Sequence, residues 1–408
     1  MPKISERGEF MPASPIRKLV PYAEAAKRKG KKVHHLNIGQ PDIKTPKAAL
    51  EAVQNADLEI VAYGHSAGNE SYRRKLVDYY SNCNIHIDYT DILITTGGSE
   101  GLFITMMSCL DAFDEVIVPE PFYANYYGFS TAGNIVMKPI SSRIEEGFAL
   151  PAITDFEPLI TDKTKAILLC NPSNPTGYVY SMAELLALKE LVIKYDLFLL
   201  VDEVYREFVY GDRPFKSVLE LEGLEDHVVV IDSISKRYSA CGARIGCIVS
   251  RNAKFIETAL KFGQSRLCPP VFAQIFAEAT LDVPKIYLEE VKQEYTKRRN
   301  LLVSRLQQME GILFINPMGA FYTMVKLPVD DAERFCIWML EAFDHDGETV
   351  MLAPGAGFYT TEGMGKQEVR IAYVLNCDDL NRAMDCLEAA LKVYPGSELA
   401  LYKQVVYQ

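Results

Sequence analysis

Residues 233–246 read SISKRYSACGARIG and follow the apolar run HVVVI. Ser233, Ser235, Lys236 and Arg244 gather hydroxyls and cations in one short segment. That set suits a phosphate, which takes charge-assisted hydrogen bonds from such groups. The location suits it too, because ligands of open α/β sheets bind beyond the strand ends. A solvated turn with an incidental lysine is the other reading of this segment alone. A second anion site is offered by ILITTGGSEGLFITMM, residues 92–107. Here a strand ends at Thr96, Gly97 and Gly98 turn tightly, and Ser99 opens an amphipathic helix. Free N–H groups and the helix dipole favour an anion there, although a plain Gly-Gly turn reads the same. In CNPSNPTG, residues 170–177, two Asn-Pro steps and a glycine fix an irregular loop after the strand KAILL. Asn174 in that loop offers both a donor and an acceptor. In FLLVDEVYREF, residues 198–208, Asp202 closes an apolar strand at the same sheet edge. A carboxylate in such surroundings is costly unless a cation pairs with it. That cation is either an ordinary core partner or the protonated ring nitrogen of a cofactor.

These motifs need a frame that brings strand ends together. Apolar runs at 91–95, 115–118, 135–138, 165–170, 197–201, 228–231 and 245–249 carry Val, Ile and Leu on consecutive positions. Strands buried on both faces read this way. Between two of them lies SMAELLALKELVIKY, where Ser181 and Glu184 form a capping box. Strands alternating with helices predict an α/β sheet that is mostly parallel. After about residue 250 the pattern changes to a long charged helix over 284–308, strand-like runs at 312–316, 321–326, 349–352 and 369–373, and helices near 331–343 and 378–392. These predict a smaller α+β unit. The first 45 residues lie outside the sheet region and fit either unit.

Composition narrows the partners. The chain has 408 residues, 43 Lys+Arg against 54 Asp+Glu, and a formal net charge of -11. Non-specific binding to nucleic acid or to an anionic membrane needs a basic surface, so neither is expected. No apolar run reaches the roughly 18 residues of a membrane-spanning helix. The first twenty residues contain no apolar core of a secretory signal. Nine cysteines are scattered without a CxxC pair, as reduced thiols of a cytoplasmic protein would be. His34 and His35 are adjacent in a strand, so they face opposite ways, and no metal site is expected.

Taken in order, the four motifs resemble the class I aminotransferases, fold type I enzymes that use pyridoxal 5′-phosphate, in their aspartate-aminotransferase-like branch. LNIGQPDIKTP at 36–46, YGHSAGNESYRRKL at 63–76, PEPFYANY at 119–126, GAFY at 319–322, PGAGFY at 354–359 and VRIAY at 369–373 match as well, so the resemblance covers nearly the whole chain. It implies a large cofactor domain, 46–285, built on a seven-stranded, mostly parallel sheet. A small α+β domain comes from 1–45 and 286–408. It implies transfer of an amino group between an L-amino acid and a 2-oxo acid, in a homodimer. It also implies roles. Lys236 matches the lysine that bonds pyridoxal phosphate as a Schiff base and then moves the proton. Asp202 matches the partner of the pyridinium nitrogen. Tyr205 and Asn174 match the pair on the phenolic oxygen, and Tyr123 the aromatic stacked on the ring. Gly98, Ser99, Ser233, Ser235 and Arg244 match the phosphate cup. Tyr63 matches a tyrosine that reaches the neighbouring subunit's phosphate. Arg370 matches the clamp on the substrate α-carboxylate, and Gly39 the loop glycine beside it.

Some positions depart from the pattern. Ser99 stands where one dicarboxylate-binding branch has a lysine. The distal arginine of another branch falls on the loop KFGQSRLCPP, where the alignment gives Gly263, with Arg266 three residues away. Arg17, in SPIRKL, occupies a position that is apolar in related enzymes and lines the substrate pocket. Surface solvation is the plain alternative for Arg17 and Arg266. If an acidic substrate is used, one of them receives the distal carboxylate. Otherwise a neutral side chain packs against Ile16, Phe321 and Tyr322. A pyridoxal-phosphate β-lyase is the alternative function, because the cofactor machinery is shared within the fold. A silent binding protein on the same scaffold is disfavoured by the joint presence of Lys236, Asp202 and Arg370. A transcription regulator would need an added DNA-binding domain and a basic face.

Overall fold

The computed structural model describes residues 2–211 and 214–399. Its strands, in chain order, are β1 (Lys32–His35), β2 (Ile92–Thr95), β3 (Glu115–Glu120), β4 (Val136–Ser141), β5 (Thr164–Cys170), β6 (Phe198–Asp202), β7 (Val228–Ser233), β8 (Gly246–Val249), β9 (Leu313–Phe314), β10 (Tyr322–Lys326), β11 (Glu348–Met351), β12 (Ala353–Pro354) and β13 (Glu368–Ala372). Seven make one sheet in the order β2-β8-β7-β6-β5-β3-β4. Only β8 runs against its neighbours. All seven runs expected in this region are in that sheet, with ends shifted by one to three residues. β6 and β7 continue through Asp202 and Ser233, since a polar side chain at a strand end does not interrupt backbone pairing. Cys170 pairs with Asp202, and Ser233 with Gly246.

The consecutive apolar residues are explained by burial on both faces. Leu168, Leu200, Val229 and Ile231 enter one core. Ile167, Leu169, Leu199, Val201 and Val230 enter the other. Each fully buried Val or Leu contributes about 1.5–3 kcal/mol, so the central strands form the rigid part of the chain. The helix Met182–Tyr195 joins β5 to β6, and its capping box is present: Ser181 Oγ accepts from Glu184 N, and Glu184 accepts from Ser181 N at 2.6 Å.

One helix differs from expectation. It spans Gly97–Cys109, so it starts two residues before Ser99. It is also not amphipathic: Leu102, Ile104, Thr105 and Met106 are all buried. The helix sits against the sheet on one side and other helices on another, which removes the need for a polar face.

The C-terminal half forms a four-stranded sheet in the order β12-β13-β10-β9. β1 pairs with β11 in parallel, tying residues 32–35 to this half of the chain. The long charged helix, Lys285–Gln307, packs along the helix Cys377–Val393.

Gly246 is where the large sheet leaves no room. It starts β8, between Ser233 of β7 and Thr95 of β2. A Cβ there would lie 2.6 Å from the Asp232 carbonyl oxygen and 2.8 Å from Gly97 C and Gly98 N. All three are backbone atoms, so strand and turn would have to separate. We expect Gly246→Ala to cost about 1–3 kcal/mol in urea unfolding, as overpacking does. Wild-type stability would contradict this close approach.

Candidate active site

β7, β6 and β5 lie side by side, so their carboxyl ends set Ser233, Asp202 and the 171–177 loop in a row. β2 ends opposite the start of β8, which brings the start of the helix Gly97–Cys109 beside Arg244. The turn there has to be bare: Gly97 has φ +75°, and a Cβ on it would lie 2.2 Å from an Arg244 nitrogen. Above this edge opens a cavity of about 500 Å³. Its lining includes Lys236, Asp202, Tyr205, Gly98, Ser99, Tyr123, Asn174, Ser233, Ser235, Arg244, Gly39, Arg370 and Arg17. Tyr63 is outside it, with its side chain in solvent at 80% exposure.

The polar groups of the cavity are ordered by one another. Lys236 Nζ donates to the Gly39 carbonyl at 2.9 Å and lies 3.7 Å from Cys241 Sγ. Asp202 is buried and accepts from the Tyr126 hydroxyl at 3.0 Å and from Val204 N at 3.4 Å. Burial pushes its pKa up to about 6, against the pull of those two hydrogen bonds. Arg370, on β13, donates to Asn174 Oδ1 at 2.8 Å and to the Asn37 carbonyl at 2.5 Å. Its guanidinium lies 4.5 Å from the Tyr322 ring centre. Its Nε is buried without a partner, and burial lowers its pKa. The hydroxyls of Tyr205 and Tyr322 are 3.0 Å apart. Ser233 Oγ donates to the Ile245 carbonyl and lies 2.8 Å from Ser235 Oγ. Tyr123 accepts from Asn125 at 2.8 Å, and burial pushes its pKa up to about 12. Gly39 admits no side chain, since a Cβ would fall 1.6 Å from the Tyr322 hydroxyl.

Several expectations are corrected here. Gly263 lies inside the helix Ala253–Ser265 rather than on a loop. Arg266 pairs with Glu100 at 3.0 Å and donates to the Ile94 carbonyl at 2.6 Å. Those bonds hold it under the helix Gly97–Cys109, and it does not line the cavity. Phe321 is fully buried and packs edge-on against Tyr205 and Phe208, while its neighbour Tyr322 faces the cavity. Successive residues of an extended segment point opposite ways. Arg17 does line the cavity, exposed, and makes no ion pair among the described residues.

Tyr126 and Asn37 belong to the site but carried no assignment in the sequence. Tyr126 lies within PEPFYANY, three positions after Tyr123, so helical spacing was its only signal. Asn37 acts through its carbonyl, which no side-chain motif reports.

Residues 31–387 match the family of aminotransferases of class I and II. The chain belongs to the class I and II aminotransferases. Among its relatives, aspartate aminotransferase of Thermotoga maritima is 31% identical over 392 residues, covering 94% of this chain and 98% of that protein. A crystal structure of aspartate aminotransferase from Thermotoga maritima superposes with a TM-score of 0.87 at 30% identity, covering 95% of this chain and all of its own. Alanine aminotransferase from Pyrococcus furiosus gives 0.87 at 30% identity, covering 96% of this chain and all of its own. This aminotransferase therefore uses pyridoxal phosphate and moves an amino group between an amino acid and a 2-oxo acid. Those relatives bear the names of aminotransferases, which favours transfer over the lyase alternative. Among the described residues no helix is long and apolar enough to cross a membrane, and no cluster of His, Cys, Asp and Glu is suited to a metal.

Asp202 gives the site a measurable cost. Its folded pKa, about 6, is above its ordinary value of 3.8. A raised value means the folded chain holds the proton more tightly than the unfolded chain. The stability it contributes is therefore present below 3.8 and lost as pH rises through about 6. We expect cofactor-free Asp202→Asn to melt higher than cofactor-free wild type above pH about 6, and the gap to close under acid. Equal melting curves at neutral pH would contradict the burial of an unpaired charge.

Proposed function

We propose that Lys236, Asp202 and Arg370 carry the transamination, each at a different part of the substrate–cofactor pair. The observation that carries this reading is the Asp202 carboxylate, buried without a cation in a cavity that also contains a lysine amine. The donor set fits pyridoxal phosphate. The hydroxyls of Ser99, Ser233 and Ser235, the Arg244 guanidinium and the N–H groups at Gly98 and Ser99 suit its phosphate. When bound, pyridoxal phosphate supplies an electron sink for the charge left at the substrate Cα. Asp202 holds the proton on the ring nitrogen. Tyr205 and Asn174 would hydrogen-bond the phenolic oxygen, and Tyr123 would cover the ring face. Arg370 binds the α-carboxylate with a planar fork that lysine could not offer, and Gly39 leaves space beside it. Lys236 would hold the cofactor covalently through its aldehyde carbon between turnovers, with loss of water. Freed when the substrate amine takes its place, its amine would serve as the general base that takes the proton from Cα and returns it. The test is Lys236→Ala, which should abolish turnover while cofactor still binds non-covalently. Turnover at the wild-type rate would refute the role of Lys236.

The same reading makes the enzyme a cytoplasmic homodimer. Ile60, Val61 and Tyr63 are 78%, 57% and 80% exposed, an apolar strip that supports contact with a second copy. Tyr63 would then serve the partner's phosphate. Nine free cysteines support a reducing compartment. The division into 46–285 and 1–45 with 286–408 separates a cofactor-holding unit from a carboxylate-clamping one, and the β1–β11 pairing supports grouping the first residues with the second unit.

For the substrate side chain, the reading is an acidic group received by Arg17. Four cations, Lys236, Arg244, Arg370 and Arg17, line the cavity against one carboxylate, Asp202. The cofactor and the α-carboxylate engage the first three, which leaves Arg17. Relatives named as aspartate aminotransferases support the same reading. We expect Arg17→Ala to lower kcat/KM for glutamate by roughly a hundredfold, as when a charge pair loses a member, and to spare a neutral donor. Equal falls, or none, would retire Arg17 to the surface.

A further inference from the structure

Behind the turn that carries Ser233, Ser235 and Lys236 lies a group of buried charges that the transfer reaction does not use. Asp232 precedes Ser233 in β7, so its side chain leaves the strand on the opposite face. Its Oδ1 accepts from the N–H of Ser233 at 2.7 Å and from an Arg237 nitrogen at 2.9 Å. Its Oδ2 accepts from the same nitrogen at 2.7 Å and from the Tyr80 hydroxyl at 3.0 Å. The Arg237 guanidinium lies 4.2 Å from the Tyr79 ring centre, and its Nε is 3.4 Å from Glu207. Both side chains of the pair are 2% exposed. Burial raises the Asp232 pKa, but the charges of Arg237 and Arg206 and the hydrogen bonds from Arg237 and the Ser233 N–H outweigh it and leave it lowered, so the carboxylate is ionised.

Such a pair is weak evidence of stabilisation, because desolvating two charges offsets most of their attraction. Its location has a clearer meaning. The helix Ile234–Arg237 has four residues, far too few to hold its own shape. Asp232 and Arg237 bracket it and close it into a ring. Ser233, Ser235 and Lys236 front the cavity, and Asp232 and Arg237 are absent from its lining. We propose that the Asp232–Arg237 pair, braced by Tyr80, is the positioning device that fixes this turn, setting the two hydroxyls and the Lys236 amine against the cofactor. Binding sites need such outer supports, since a first layer misplaced by about 0.5 Å loses its geometry. The inference rests on the reading that this turn holds the cofactor.

The test uses the cofactor-free full-length protein, titrated with pyridoxal phosphate. Two variants remove different parts of the support: Asp232→Asn removes the charge, and Tyr80→Phe removes one hydroxyl from an otherwise unchanged ring. Dissociation constant, pH midpoint of the bound cofactor's absorbance, and melting temperature are measured for each. Asp232→Asn should weaken cofactor affinity about tenfold or more, the size of effect that loss of an outer partner has at metal sites, and should shift the absorbance midpoint. Tyr80→Phe should move both in the same direction by less. Lowered melting with wild-type affinity and midpoint in both proteins would make the pair merely structural and overturn the proposal. If Asp232→Asn does not fold, unchanged affinity and midpoint in Tyr80→Phe overturn it alone. Lys236→Ala in the same titration separates the two levels. If it leaves the bound cofactor's absorbance unchanged, the reading of the turn fails, whatever the other variants do.

Discussion

A carboxylate sealed at the end of β6 without a cation beside it constrains everything around the cavity. Asp202 is 4% exposed, and its close partners are a tyrosine hydroxyl and a backbone N–H. An isolated chain gains nothing from that arrangement, since hydroxyl donors offset only part of the desolvation of a charge. On the proposed reading the arrangement becomes favourable when a cation is set directly beside the carboxylate, and the pyridinium of this family's cofactor is such a cation. Functional sites store this kind of cost, and the rest of the fold has to sustain it.

The sheet sustains it. Parallel strands in the order β7-β6-β5 put three carboxyl ends next to one another, and antiparallel β8 turns the chain back so that β2 ends beside them. The second sheet contributes the opposite wall. Arg370 on β13 crosses to Asn174, which follows β5, and to the carbonyl of Asn37, which follows β1. One guanidinium thus joins the N-terminal segment, the large sheet and the small sheet at the cavity. Because the contacts are direct, a change in the relative position of the sheets is felt at Arg370. Its Nε is buried and has no partner among the described residues.

Much of this was legible in the sequence, for physical reasons that differ by element. Strands buried on both faces leave short runs of Val, Ile and Leu, so all seven were readable. Residues acting through a side chain at a strand end, such as Asp202, Ser233 and Lys236, stood out because polar groups there interrupt an apolar run. Four kinds of information were not readable. Asn37 acts through its backbone, which has no residue signature. Arg266 was ambiguous because its partner, Glu100, is far away in the chain and is found only by folding. The helix Gly97–Cys109 looks amphipathic in sequence, since a glycine- and serine-rich start followed by apolar residues resembles a surface helix until its neighbours cover it. Phe321 and Tyr322 look equivalent in sequence, although alternation along an extended segment sends only Tyr322 to the cavity.

The central claim is that Asp202 holds a ring proton, and one binding measurement addresses it most directly. Cofactor-free enzyme is titrated with pyridoxal phosphate and with its analogue in which the ring nitrogen is replaced by carbon. Both share the phosphate, the aldehyde and the phenolic oxygen, so they differ only at the atom that faces Asp202. The account expects the analogue to bind at least roughly tenfold more weakly to wild type, since it leaves a buried carboxylate unpaired, and the difference to shrink in Asp202→Asn. Equal affinities of wild type for the two compounds would contradict it.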